Sequence, residues 1–275
     1  MVDAHQHFWK YNAVEYPWIS YQMTALRRDF LPAELESLMQ TSGVEKAVAL
    51  QACQTVDETR WLLRMAQDHP FIAGVVGWAP IASPDFHIHL ESLGAFPKLK
   101  GLRHMLQDEP DDRYMLRKDF QSGIAALQAN NLVYDILIYS RQLPFATQLA
   151  DRNPHQIFVL DHLAKPKIRV GEISPWREDI RELARRPNVF CKLSGMVTEA
   201  DWNHWSIEDL QPYLEIVIES FGPERLLAGS DWPVCTLASE YAGWWQTLRA
   251  LISGLSHSEQ QAILGANAIK VYSLR

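Results

Sequence analysis

Residues 44–79 read VEKAVALQACQTVDETRWLLRMAQDHPFIAGVVGWA. The run that ends at Leu50 is short and apolar, which suits a strand buried on both faces. Thr55 is followed three residues later by Glu58, the spacing of a capping box. Behind it Trp61, Leu62, Met65 and Ala66 recur at helical spacing. A second apolar run begins at Phe71. Strand, helix and strand in this order make a crossover unit with two parallel strands.

The alternation extends in both directions. Apolar runs occur near 2–8, 44–51, 71–79, 99–104, 132–139, 156–162, 188–194 and 225–231, with helical patterns in most of the longer gaps. Ser174-Pro175 reads as an N-cap and first helical residue, and Ser256 with Glu259 repeats the capping box before a final helix. Eight such units in 275 residues match the size of a closed (β/α)₈ barrel. An open doubly wound sheet fits less well, because no Gly-x-Gly-x-x-Gly follows the first run. No linker or internal repeat interrupts the chain. The sequence therefore predicts one domain over residues 1–275, an α/β TIM barrel with its catalytic groups at the C-terminal strand ends.

Composition narrows the function. With 33 acidic and 26 basic side chains the net charge is −7, and no basic run offers a surface for phosphate backbones, so nucleic acid is not an expected partner. Three cysteines without a short Cys-x-x-Cys spacing argue against a disulfide scaffold or a zinc finger. No apolar stretch is long enough to span a bilayer, and the first residues lack the basic and apolar regions of a signal peptide. A soluble cytoplasmic protein is expected.

The first run reads MVDAHQHFW, and His5 and His7, two apart, share one face of an extended strand. Two neutral imidazoles held this way suit a divalent metal such as zinc; the plainer reading is a pair satisfied by ordinary hydrogen bonds. His87 and His89 have the same spacing but lie in a helical pattern, where their rings diverge by about 200°, so they are rejected as a chelate. The sixth run, QIFVLDHLAKP, ends at His162, with Asp161 expected on the opposite face, and the eighth, RLLAGSDWP, ends at Asp231. His5, His7, His162 and Asp231 all fall where a barrel gathers catalytic groups, which predicts one shared site.

At these residues the sequence resembles the amidohydrolase superfamily, and within it the sugar-lactonase branch that acts on L-fuconolactone and L-rhamnonolactone. The matching stretches are DAHQHFW, GLRHMLQDEPD, LDHLAKP, KLSG and GSDWPVC. The resemblance implies a distorted barrel and hydrolysis of a sugar (aldono-) lactone, such as that of a deoxy sugar. It also implies metal ligation, although some related lactonases work without metal. Dinuclear members carry a bridging carboxylated Lys or a Glu, usually on the fourth strand, where this chain has Arg103 and His104. At most one divalent ion is therefore expected, on His5, His7, His162 and Asp231. The alternative within the superfamily is a metal-dependent decarboxylase acting on a carboxylated aromatic or dienoic acid.

Lactone opening needs a base for water and stabilisation of charge on the carbonyl oxygen. Asp231 is the candidate base, with His5 and His7 polarising the carbonyl and His162 orienting water or donating to the oxyanion. Arg103, a fixed fork of donors, is the candidate grip on substrate oxygens; Gln51 at the second strand end and Lys192 in CKLSG are further binding candidates, with structural pairing as the alternative for each. Trp9, Trp18, Trp78 and Trp232 are positioned to line the mouth and pack on a sugar ring. Cys235, close to Asp231, lacks a nucleophile-elbow context.

Overall fold

Each apolar run becomes a strand in the computed structural model, which describes residues 1–275. The strands are β1 (Val2–His7), β2 (Lys46–Leu50), β3 (Ile72–Gly77), β4 (Leu99–His104), β5 (Val133–Ile136), β6 (Phe158–Leu160), β7 (Val189–Leu193) and β8 (Leu226–Ala228). All pair in parallel with the next in sequence order. β6 and β8 are shorter than their apolar runs because the backbone turns left-handed at His162 and Asp231, where φ is 54° and 58°.

The helices are α1 (Pro32–Ser42), α2 (Val56–Asp68), α3 (Phe86–Gly94), α4 (Lys118–Ala129), α5 (Leu143–Arg152), α6 (Trp176–Ala184), α7 (Met196–Glu199), α8 (Ile207–Phe221), α9 (Tyr241–Leu251), α10 (His257–Gln261) and α11 (Asn267–Val271). Thr55 caps α2 by accepting from the Glu58 amide, and Ser256 with Glu259 forms the expected capping box of α10. α6 begins one residue later than expected: Pro175 occupies the cap position, and Ser174 lies outside the helix. His87 and His89 sit on α3. No helix is long and apolar enough to cross a membrane.

Closure between β1 and β8 uses the residues just beyond β8. The Asp231 amide donates to the His5 carbonyl and the His7 amide to the Trp232 carbonyl, both at 2.7 Å. Asp3 clasps the same seam, accepting from the Ser230 amide at 2.8 Å, its hydroxyl at 2.6 Å and the Tyr241 hydroxyl at 3.1 Å. Burial pushes the Asp3 carboxyl up to about 6, against these donors. Two apolar clusters stabilise the barrel. The larger, 67 buried residues, fills the space between strands and helices. The smaller joins Val2, Val48, Val133 and Leu227 to Tyr272 and Leu274, so the chain's last turn plugs the end opposite the catalytic strand ends.

Candidate active site

β1 delivers His5 and His7 to one point, with their Nε2 atoms 3.2 Å apart. Oδ1 of Asp231 lies 3.6 Å from His5 Nε2, 3.3 Å from His7 Nε2 and 3.9 Å from His162 Nε2. The far nitrogens are held from behind. His7 Nδ1 donates to the Leu50 carbonyl at 3.0 Å, His162 Nδ1 meets Ser194 Oγ at 2.9 Å, and His5 Nδ1 faces Asp161 Oδ1 at 3.3 Å. Leu50 O only accepts, so the proton of His7 belongs on Nδ1. His5 Nδ1 faces the Asp161 carboxylate and the Lys192 ammonium, both at 3.3 Å, and its Nε2 lies 3.4 Å from Arg103 Nη1. His5, His162 and Asp231 offer ligand atoms within 4.8 Å of one another, a set that fits a single divalent ion, and His7 Nε2 adjoins it at 3.3 Å from Asp231 Oδ1.

The protonation states agree. Burial drives His5 and His7 below the ordinary imidazole range and His162 down to about 4. Burial alone would raise Asp231, but the surrounding imidazoles outweigh it and hold the carboxyl well below the usual carboxylate range. Neutral imidazoles beside an ionised carboxylate are the forms that ligate a metal. The shortest contact of Asp231 with each of the three imidazoles is made by Oδ1, and the residue lines the cavity.

His162 reaches the site by an unusual backbone. It, Leu163, Ala164 and Lys165 all have positive φ, between 50° and 58°. Left-handed conformation costs about 1–2 kcal/mol per residue for a side chain with a Cβ. The turn breaks strand alternation, so Asp161 does not point away from the site as expected. It is fully buried beneath it, accepting from Arg103 Nη1 at 2.9 Å and lying 3.0 Å from Lys192 Nζ. Lys192 also donates to Asp135 at 2.5 Å, and Asp135 accepts from the Tyr272 hydroxyl. Two cations and two carboxylates thus balance inside the barrel, the condition for burying charge there.

This network reassigns three expected binding residues. Lys192 is fully buried and pairs with acids below the site. Arg103 borders the cavity, but Nη1 is bonded to Asp161 and Nη2 to the Gln51 carbonyl, so its fork holds the framework. Gln51 is buried with its amide toward the Arg103 carbonyl and does not reach the cavity.

Above the central residues opens a cavity lined by His7, Arg103, His162 and Asp231 together with Trp18, Gln107, Asp108 and Lys165. Trp18 stands in its wall, its indole nitrogen donating to the Ala52 carbonyl at 2.8 Å. The other tryptophans do not reach it. Trp232 is buried edge-on against Phe8 and Phe30, because β8 ends before it and the chain turns outward. Trp9 is buried with its nitrogen on the Arg28 carbonyl, and Trp78 donates to His104, which in turn donates to Glu109. Cys235 is buried and its thiol is pushed far up by that burial, so it is no nucleophile. The sequence did not single out Asp135 or Lys165, and it placed Asp161 away from the site; a lone acid in an apolar run was the available signal for Asp135.

The amidohydrolase family model matches residues 2–274. This chain is a member of the amidohydrolase family. Among similar proteins, the L-fucono-1,5-lactonase of Burkholderia multivorans (strain ATCC 17616 / 249) is 41% identical, over 99% of this amidohydrolase and 96% of the relative. A crystal structure of an amidohydrolase from Burkholderia multivorans with bound Zn superposes with a TM-score of 0.96 at 41% identity, covering 100% of this amidohydrolase and 99% of that chain. By contrast, the 5-carboxyvanillate decarboxylase from Sphingomonas paucimobilis shares only 14% identity at a TM-score of 0.66, covering 100% of this amidohydrolase and 99% of that chain, a likeness of fold alone.

Proposed function

We propose that the protein hydrolyses a sugar lactone, with a deoxy-sugar 1,5-lactone such as L-fucono-1,5-lactone as substrate and Asp231 as the base that activates water. The observation that carries the chemistry is the Asp231 carboxylate set within 3.9 Å of three imidazoles and lining a cavity. The substrate class follows from 41% identity to an L-fucono-1,5-lactonase along nearly the whole chain.

The lactone carbonyl carbon is attacked by a water held on the Asp231 carboxylate. As the water oxygen bonds to carbon, its proton passes to the carboxylate. The carbon to ring-oxygen bond then breaks, and the proton returns to the departing alkoxide, giving a hydroxy acid that ionises to an aldonate. His5, His7, His162 and Asp231 would together hold one zinc ion, and its chemistry would be Lewis-acid polarisation of the carbonyl. His162 orients the reacting water from the same edge as Asp231, and Trp18 offers a flat face for the sugar ring.

The test is proton release from a panel of aldono-1,5-lactones, read with an indicator on metal-analysed protein, alongside Asp231→Asn. The expected result is rapid opening of the L-fucono lactone, a fall of about a thousandfold in the variant with unchanged circular dichroism, and loss of rate on chelation that zinc reverses. No acceleration on any lactone, or carbon dioxide release from carboxylated aromatic acids instead, would overturn the reading.

A further inference from the structure

We infer that Lys165 is a substrate-contacting residue that binds the acyl oxygen of the lactone as it becomes charged, and the carboxylate of the product afterwards. This rests on the lactonase reading and adds to it a residue of the LDHLAKP stretch to which the sequence assigned no role.

Three observations converge. First, Lys165 lines the same cavity as Asp231 and His162, half-buried, and its ammonium makes no hydrogen bond and has no carboxylate within 4.0 Å. Arg103, the other cation in the lining, is already bonded to Asp161 and the Gln51 carbonyl. Lys165 therefore brings the one positive charge in the cavity lining that no ion pair holds, although Glu199 is near enough to be stabilised by it. Its nearest aromatic partner is the Tyr139 ring, 5.4 Å from Nζ to the centroid, which supports the side chain without neutralising it.

Second, the backbone that carries it is the left-handed turn 162–165. Its closing bond runs from the Lys165 amide to the His162 carbonyl at 2.7 Å. In so tight a turn, side chains three apart stack on one side, so one strained element presents His162 and Lys165 to the cavity together. Third, His162 Nε2 is 3.9 Å from Asp231 Oδ1, which puts this turn on the edge where the water is activated.

A lactone is neutral, whereas the tetrahedral intermediate and the aldonate are anions. An unpaired ammonium at that edge discriminates between them: it strengthens binding as charge develops and leaves neutral ligands nearly unaffected. This separates a contact with the acyl end from a contact with sugar hydroxyls, and both from a structural role.

The experiment compares the parent protein, Lys165→Met and Lys165→Arg on L-fucono-1,5-lactone, with inhibition by the aldonate product and by the corresponding neutral alditol. For Lys165→Met, kcat is expected to fall by about a hundredfold and aldonate inhibition to weaken at least about tenfold, with alditol inhibition, zinc content and circular dichroism unchanged. Lys165→Arg should recover most of the aldonate binding. A kcat within about twofold of the parent, or equal weakening of aldonate and alditol, would overturn the assignment. A parent inactive on every lactone would sink the lactonase reading and this inference together.

Discussion

Oδ1 of Asp161 lies 3.3 Å from Nδ1 of His5, and this contact decides which nitrogen of the ring faces the cavity. The same carboxylate takes a hydrogen bond from Arg103 and pairs with Lys192, so it joins the metal-ligating face to the charged layer below.

Asp161→Asn keeps the shape and removes the charge that orients His5. Zinc affinity should drop about 10–100-fold, measured as metal retained against a competing chelator. The melting temperature should fall as well, because Arg103 then loses its carboxylate partner and Lys192 keeps Asp135 alone. Unchanged zinc retention in a folded variant would show that His5 needs no such partner.

Gly195 in KLSG lies directly behind His162. A Cβ there would sit 2.5 Å from His162 Nδ1, and φ is +66°. Gly171 has the same φ with nothing within 4 Å of a Cβ, so it isolates the backbone strain. Gly195→Ala should lose at least about tenfold in kcat, whereas Gly171→Ala should lose only about 1 kcal/mol of stability and keep its rate. Equal rates in the two variants would mean that the His162 ring tolerates displacement.

Glu58 supports the β2–α2 loop, accepting from the Cys53 amide at 2.8 Å, the Ala52 amide at 3.1 Å and the Tyr16 hydroxyl at 3.2 Å. Burial raises its carboxyl to about 8, against these donors. A folded-state value above the unfolded one contributes stability that is fully present below the unfolded value. It is lost as pH rises through the folded value, a window from about 4.5 to 8. Thermal midpoints of the parent should therefore decline across that window relative to Glu58→Gln, whose amide does not titrate. Parallel curves would place the proton elsewhere.

Tyr272, three residues from the C-terminus, sends its hydroxyl 2.8–2.9 Å from both oxygens of Asp135. Tyr272→Phe leaves that buried carboxylate short of a donor, at a cost of about 1–3 kcal/mol. Chemical denaturation should show the loss, with kcat within about threefold of the parent because Lys192 still separates Asp135 from the imidazoles. A large loss of rate without loss of stability would instead connect the barrel floor to the chemistry.

The barrel was legible because parallel strands covered on both faces read as continuous apolar runs, and each of the eight runs contains a strand, although β5, β6 and β8 fill only half or less of theirs. His5, His7, His162 and Asp231 were legible because barrels collect chemistry at strand ends. Asp161 was misread for one reason: alternation holds only while the chain stays extended, and β6 ends at Leu160. Trp232 was misplaced in the same way, by assuming that a residue after a strand must turn toward the mouth.

Sequence by itself determined the number and order of the strands and the four residues around which the candidate site is built. Those depend on local pattern, which a single chain displays in order. Tertiary structure decided which charges are compensated. Arg103 meets Asp161 across 58 residues of chain, and Lys192 approaches His5 across 187. A buried charge is tolerated only beside its counter-charge, and in a closed barrel that partner comes from a different strand. Only once those pairs are made does it become visible that Arg103 is bound to the framework and that Lys165 remains free for substrate.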